Sequence, residues 1–163
     1  MPPMKLLSAS LIILWSSATV ATETADLVVV VKSQSRLYLQ KNGTTIASYH
    51  AALGGNPRGH KQEEGDERTP EGRYVLDYKK PDSAFHKSIH ISYPNQADRI
   101  RSRARGVDPG GQIMIHGQKN GFGWLSWITQ RFDWTDGCIA VSNRAMDEIW
   151  DAVTIGTPIE IKP

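Results

Sequence analysis

The strongest constraint on the fold lies in residues 27–49. Leu27-Val-Val-Val-Val31 is a continuous apolar run of mostly β-branched residues, which suits a strand covered on both faces. Arg36-Leu-Tyr-Leu-Gln40 then alternates apolar with polar, Asn42-Gly43 is a strong tight-turn signal, and Thr44 to Tyr49 can return as the partner strand. The chain therefore opens as β structure. Further short strands are expected at Arg73–Tyr78 after the Thr69-Pro70-Glu71-Gly72 turn, at Ile89–Tyr93, at Gln112–Ile115 and at Ile159–Ile161. Two helices are expected between them. The first starts at an Asn95 N-cap, carries Ala97, Ile100 and Ala104 at helical spacing, and stops at Gly106, with Arg99, Arg101, Arg103 and Arg105 on a solvated face. The second is capped by Asn143, has Asp147 and Glu148 in its first turn, and buries Ala145, Ile149 and Val153 before Gly156-Thr157-Pro158 ends it. The fold class is mainly β with two short helices.

Ahead of this region stands a different kind of segment. Lys5 supplies one positive charge, Leu6 to Trp15 are mainly apolar, and Ser16 to Ala21 are small, which are the three parts of a secretory signal peptide over residues 1–21. The apolar part falls short of the roughly 20 residues a membrane span needs, so no stable span is expected. Export from the cytoplasm follows from that reading. What remains forms one domain over residues 27–162, long enough to bury a core without disulfides. Lys and Arg number 19 against 17 Asp and Glu, and removing Lys5 with the leader leaves an excess of one positive charge. So small an imbalance identifies neither nucleic acid nor a membrane surface as a partner.

Cysteine usage says more. Cys138 is the only cysteine, and a single unpaired thiol is a liability in an oxidising compartment unless it is used. It sits in a Gly-Cys turn, while His116 closes the apolar run Ile113-Met114-Ile115 far upstream, so the two meet only if the chain folds back. A protonated thiol needs an imidazole to take its proton or to hold it as an ion pair, and His116 fits that role. Gly137 allows backbone N–H groups around Cys138 to converge on an oxyanion, and Thr135 and Asp136 are placed to orient the imidazole. The bland alternative makes Cys138 a small buried hydrophobe and His116 a core histidine. His86 and His90 do not read as metal ligands, because no third ligand follows and the stretch is strand-like; no metal is expected. His90, Ser92 and Tyr93 are instead candidates for lining a substrate groove.

Pro109-Gly-Gly-Gln-Ile-Met-Ile-His-Gly117, answered by Thr135-Asp-Gly-Cys-Ile-Ala-Val141, resembles the signature of the L,D-transpeptidase catalytic domain, the YkuD-type family, in the form its YafK-like branch takes. The resemblance implies a β-sandwich-like catalytic domain, a Cys138 nucleophile and a His116 proton donor and acceptor. It implies no cofactor and no nucleic-acid partner. Substrates would be peptide stems of bacterial peptidoglycan, with an outer-membrane lipoprotein lysine as one acceptor and carbapenems as covalent inhibitors. Gly117, Tyr93, Arg144 and Trp124 are candidate substrate contacts. Ala140 departs from the wider family, which has Arg two places after the Cys; Arg144 or Arg131 could stand in for it. Transfer to an amine, hydrolysis by the same thioester route, and a non-catalytic wall-binding module remain open. The stretch Phe122, Trp124, Leu125, Trp127, Ile128, Phe132 and Trp134 is expected to pack on the body, or alternatively to lid the thioester against water.

Overall fold

The computed structural model describes residues 23–163. The expected leader and its expected cleavage point at Ala21 lie outside them. Eight strands form one sheet: β1 Leu27–Val31, β2 Arg36–Lys41, β3 Thr44–His50, β4 Gly72–Lys80, β5 Ser88–Ile91, β6 Met114–His116, β7 Ile139–Ala140 and β8 Pro158–Lys162, in the spatial order β3-β2-β1-β8-β4-β5-β6-β7. The Val-rich β1 runs between antiparallel β2 and parallel β8, which accounts for its lack of polar alternation. Asn42 and Gly43 both take positive φ, 49° and 76°, as a tight hairpin turn requires.

The sheet curls until its two ends meet. Beyond edge strand β3, Ala52 exchanges two backbone hydrogen bonds of 2.8 Å with Ala140 in β7, the other edge. Gly55 N–H donates to Thr135 O, and Trp134 and Thr135 both donate to Leu53 O. Edge groups that would otherwise be bare are paired in this way, and the strands enclose the core. Helices α1 (Gln96–Arg105) and α3 (Asn143–Ala152) complete the expected pair, and a further four-residue helix, α2 (Ser126–Thr129), stands in the aromatic stretch.

Helix α3 lays Ala145, Met146 and Ile149 on the sheet. Its cap differs from the expected one: Ser142 Oγ accepts from Ala145 N–H, Asn143 is the first helical residue, and no acid lies in the first turn. Asn143 has another task, since its Oδ1 accepts from Gln118 N–H at 2.8 Å, directly after the His-Gly pair. In α1 both caps are as expected, with a capping box between Asn95 and Asp98 and Gly106 in the left-handed region. The buried face is not. Ala97, Ile100 and Ala104 are exposed, whereas Asp98 and Ser102 are buried, because Asp98 accepts from Tyr74 Oη and pairs with Arg101 and His60. Helix α1 is held by a polar network instead of an apolar stripe.

The connection over residues 55–71 is anchored by two buried lysines. Lys32 Nζ donates to Gly59 O, Thr69 O and Glu71, and Lys61 Nζ pairs with Asp66 at 2.8 Å. Thr69 is fully buried and its hydroxyl accepts from Gly54 N–H. The backbone at Glu67 and Arg68 is thereby pressed under Gly54 and Gly137.

Candidate active site

Register brings the two candidate residues together. Across β4, β5, β6 and β7 one rung reads Lys79, Ile89, Ile115, Ile139, and the next reads Lys80, Ser88, His116, Ala140. Successive strand residues point to opposite faces, so the isoleucine rung enters the core while His116 faces the other way. Cys138, two residues before Ala140, falls on the His116 side. Both line one cavity of about 310 Å³, with Phe85 and Trp134 as its aromatic walls. The volume suits a ligand of a few residues rather than a large one.

Geometry fixes the tautomer of His116. Its Nδ1 lies 2.7 Å from Gly117 O, which can only accept, so Nδ1 carries the proton and Nε2 presents a lone pair. The ring is buried, 4.3 Å from the Phe85 ring and edge-on to Trp134. Burial holds its pKa below the usual imidazole value, against a small upward pull from the Gly117 carbonyl. Cys138 is half-buried, with Sγ 3.6 Å from Gln112 O. Burial pushes the thiol up and the Asp136 carboxylate adds to it; the Met114 backbone and the Lys61 charge pull more weakly the other way. Both shifts favour the uncharged forms. An ion pair at rest is disfavoured accordingly, and no hydrogen bond joins the two side chains among the described residues.

The turn that carries Cys138 is built by Thr135 and Gly137. Thr135 Oγ1 donates to Cys138 O at 2.7 Å and accepts from Gly137 N–H at 3.2 Å, so its bonds run to the turn and not to the imidazole. The Gly137 N–H is consequently occupied, and Cys138 N–H has no acceptor among the described residues. Gly137 has φ +116°, and a Cβ there would stand 2.6 Å from Arg68 O. Gly117 is also tightly packed: its N–H donates to His86 O, a Cβ would meet that oxygen at 2.5 Å, and its carbonyl holds the imidazole instead of lining the cavity.

Other candidates lie elsewhere. Tyr93 is buried, donates to Pro109 O and packs edge-on to Tyr74, away from Cys138. Arg144 pairs with Glu148 in solvent, and Arg131 lies over the Trp127 ring; neither lines the cavity. His86 is paired with Asp147 and His90 with Asp77. Trp124 is 70 % exposed and Trp127 59 %, and Phe122, Ile128 and Phe132 are exposed with them. The expected packing of this stretch fails because residues 119–132 form an outward excursion closed by local bonds such as Phe122 N–H to Lys119 O and Leu125 N–H to Phe122 O. Only Trp134 returns to the site, where its indole N–H is buried without a partner. Phe85, Ser88 and Lys80 escaped sequence reasoning, since only strand register and chain return place them beside His116, whereas Trp134 was expected as a member of the aromatic stretch. Among the described residues no cluster of three or more His, Cys, Asp or Glu side chains could hold a metal ion, and no helix is long and apolar enough to cross a membrane.

Comparison with known proteins agrees with this geometry. The profile of the L,D-transpeptidase catalytic domain, YkuD, matches residues 25–161. Over 133 residues the chain is 34 % identical to YafK of Escherichia coli strain K12, a protein provisionally named as an L,D-transpeptidase; the match covers 80 % of this chain and 43 % of that one. The helical cell shape determining protein Pgp2 from Campylobacter jejuni superposes with a TM-score of 0.64 at 25 % identity, over 86 % of this chain and 49 % of that one. The L,D-transpeptidase LdtMt1, solved in complex with imipenem, shares the fold at a TM-score of 0.54 and 18 % identity, over 83 % and 57 % of the two chains. The chain thus spans less than half the length of the curated relative it matches.

Proposed function

Because the chain belongs to the L,D-transpeptidase catalytic domain family, we propose that it is an exported acyltransferase that acts on peptidoglycan stem peptides through a Cys138 thioester. The observation that carries this reading is the placement of Cys138 and His116 on one face of the β6–β7 pair, in a shared cavity, with His116 Nε2 free to accept a proton. As Cys138 Sγ attacks the carbonyl carbon of an L-residue joined to a D-centre, its proton passes to Nε2. The carbonyl oxygen takes up the electron pair as an oxyanion, and the unoccupied Cys138 N–H is the donor placed to hold it. The tetrahedral centre collapses, the C–N bond breaks, and the imidazolium returns its proton to the departing amine. An acceptor amine, from another stem or a lipoprotein lysine, then attacks the thioester while His116 takes its proton; the C–S bond breaks and the imidazolium returns that proton to the Cys138 thiolate.

Hydrolysis is the second reading, in which water replaces the amine. The outward position of Trp124 and Trp127 favours it, since a thioester without an aromatic lid is open to bulk water. Carbapenems are expected to acylate the same thiol. Intact-mass analysis after carbapenem treatment tests the nucleophile: one adduct on Cys138 supports an enzyme, and an unmodified chain refutes it. Muropeptides processed with and without a saturating amine then separate transfer from hydrolysis.

A further inference from the structure

We propose that Lys80 and Ser88 form a carboxylate subsite beside the catalytic pair, which binds the free carboxylate of the residue released when a donor peptide acylates Cys138. The proposal rests on the thioester reading above and names what that site selects. Its basis is the rung Lys80, Ser88, His116, three residues in direct register on adjacent antiparallel strands and therefore on one face. All three line the cavity that holds Cys138.

Two of them have no other occupation. Ser88 is only 2 % exposed, its hydroxyl makes no hydrogen bond to protein among the described residues, and it is not one of the fully buried unpartnered atoms, so the part of it left open belongs to the cavity. Lys80 is exposed and forms no ion pair among the described residues. Its neighbour Lys79 behaves differently, spending its ammonium on Trp150 O and Val153 O at the end of α3. Lys80 is also the single Lys or Arg among the residues lining the cavity. The other ionised side chain there is Asp136, beside the nucleophile, where it repels an anion. An anionic ligand is therefore driven toward the Lys80 side.

The spacing selects a leaving group of one residue. His116 must reach the departing nitrogen, and in an amino acid the carboxylate carbon lies roughly 2.5 Å from that nitrogen. Strands are spaced about 4.8 Å apart, so Ser88 is the next group along the rung from His116 and Lys80 the one after. A carboxylate in this position takes a hydrogen bond from Ser88 Oγ and a charge-assisted one from the flexible Lys80 ammonium. A leaving group whose carboxylate is blocked as an amide offers no charge to Lys80.

The test uses the full chain and two synthetic donor peptides of identical sequence, one ending in a free carboxylate and one in a carboxamide. Cys138 acylation is followed by intact mass across donor concentration, so that KM and kcat are obtained separately. The wild type is expected to prefer the acid by about ten- to a hundredfold, expressed in KM, the range for a hydrogen bond to a charged group. Lys80→Met brings the ratio close to one, Lys80→Arg keeps it, and Lys80→Glu inverts it; Ser88→Ala lowers it in part. Equal use of both donors by the wild type overturns the subsite, as does a preference that survives Lys80→Met. No adduct from either donor on the wild type overturns the thioester reading and the subsite with it, an outcome distinct from acylation without preference.

Discussion

Replacing Gly137 with Ala should separate the architecture of the nucleophile turn from ordinary backbone strain. The new Cβ stands 2.6 Å from Arg68 O and 3.3 Å from Ile113 Cδ1. A relaxed carbon–oxygen contact is about 3.3 Å, so the turn must retreat by roughly 0.7 Å from a backbone that is itself fixed by buried Thr69. The conformation at φ +116° adds about 1–3 kcal/mol for a residue with a side chain. Gly156→Ala supplies the control, because Gly156 also has positive φ, +96°, but nothing lies within 4 Å of its Cβ position. It should lose only the backbone contribution, a fall in melting temperature of several degrees, and keep its acylation rate. Gly137→Ala should melt lower still and acylate about a hundredfold more slowly per folded molecule, the usual consequence of misplacing a reacting atom by the better part of an ångström. Melting curves and the rate of adduct formation at Cys138, scaled to the folded fraction, are the assays. A Gly137→Ala protein that acylates at the Gly156→Ala rate would refute the claim that the close approach to Arg68 positions the thiol.

Three other perturbations follow from the same site. Cys138→Ala should lower turnover by more than about a thousandfold while melting within a few degrees of wild type, as measured by muropeptide turnover and calorimetry. Iodoacetamide alkylation should rise with pH only above the usual thiol range, and His116→Gln should leave that inflection in place while turnover collapses; an inflection that moves would show a thiolate–imidazolium pair at rest. The same variant has a stability signature: folding lowers the His116 pKa, so the unfolded chain binds more protons below about 6.5, and the wild type should lose stability as pH falls through that value while His116→Gln loses less. Trp134→Ala, which opens a wall of the cavity, should raise the ratio of hydrolysed to transferred product. Trp124→Ala and Trp127→Ala, outside it, should leave that ratio unchanged.

Local signals carried most of the fold and part of the site. The β2–β3 hairpin was readable because alternation and the Asn42-Gly43 turn are properties of adjacent residues, and α1 was bounded by its own caps. The face of α1 was not readable. Ala97, Ile100 and Ala104 have helical spacing, but the groups that decide its orientation are Tyr74 and His60, more than twenty residues away, which claim Asp98. Asn143 was misplaced by one position as a cap because Ser142 satisfies the same rule, while Asn143 is held by Gln118 across the site. Cys138 and His116 stood out through a lone thiol and a paired motif, whereas Ser88 and Lys80 carry no motif and acquire meaning only from register. The aromatic stretch misled because composition favours burial of tryptophan, yet the connection over residues 119–132, with its own short helices, can satisfy its backbone locally and leave those rings outside.

The uncharged forms that burial favours at Cys138 and His116 bear on how such a thiol would survive in the oxidising compartment expected for it. Oxidants attack thiolate far faster than thiol, so an ion-paired cysteine would be reactive at all times. Here burial raises Cys138 and lowers His116, and the fixed Gly117 contact leaves Nε2 ready to accept a proton without having taken one. On the proposed thioester mechanism, thiolate character arises during attack, when the developing oxyanion can be stabilised at Cys138 N–H and the imidazolium is discharged by the leaving amine. A site arranged in this way gives up resting nucleophilicity and retains a thiol that reacts when a carbonyl is seated against it. That argument places selectivity in the grooves that seat the peptide, and the unoccupied Ser88 hydroxyl and unpaired Lys80 ammonium beside His116 are where the cavity has polar groups to spare for it.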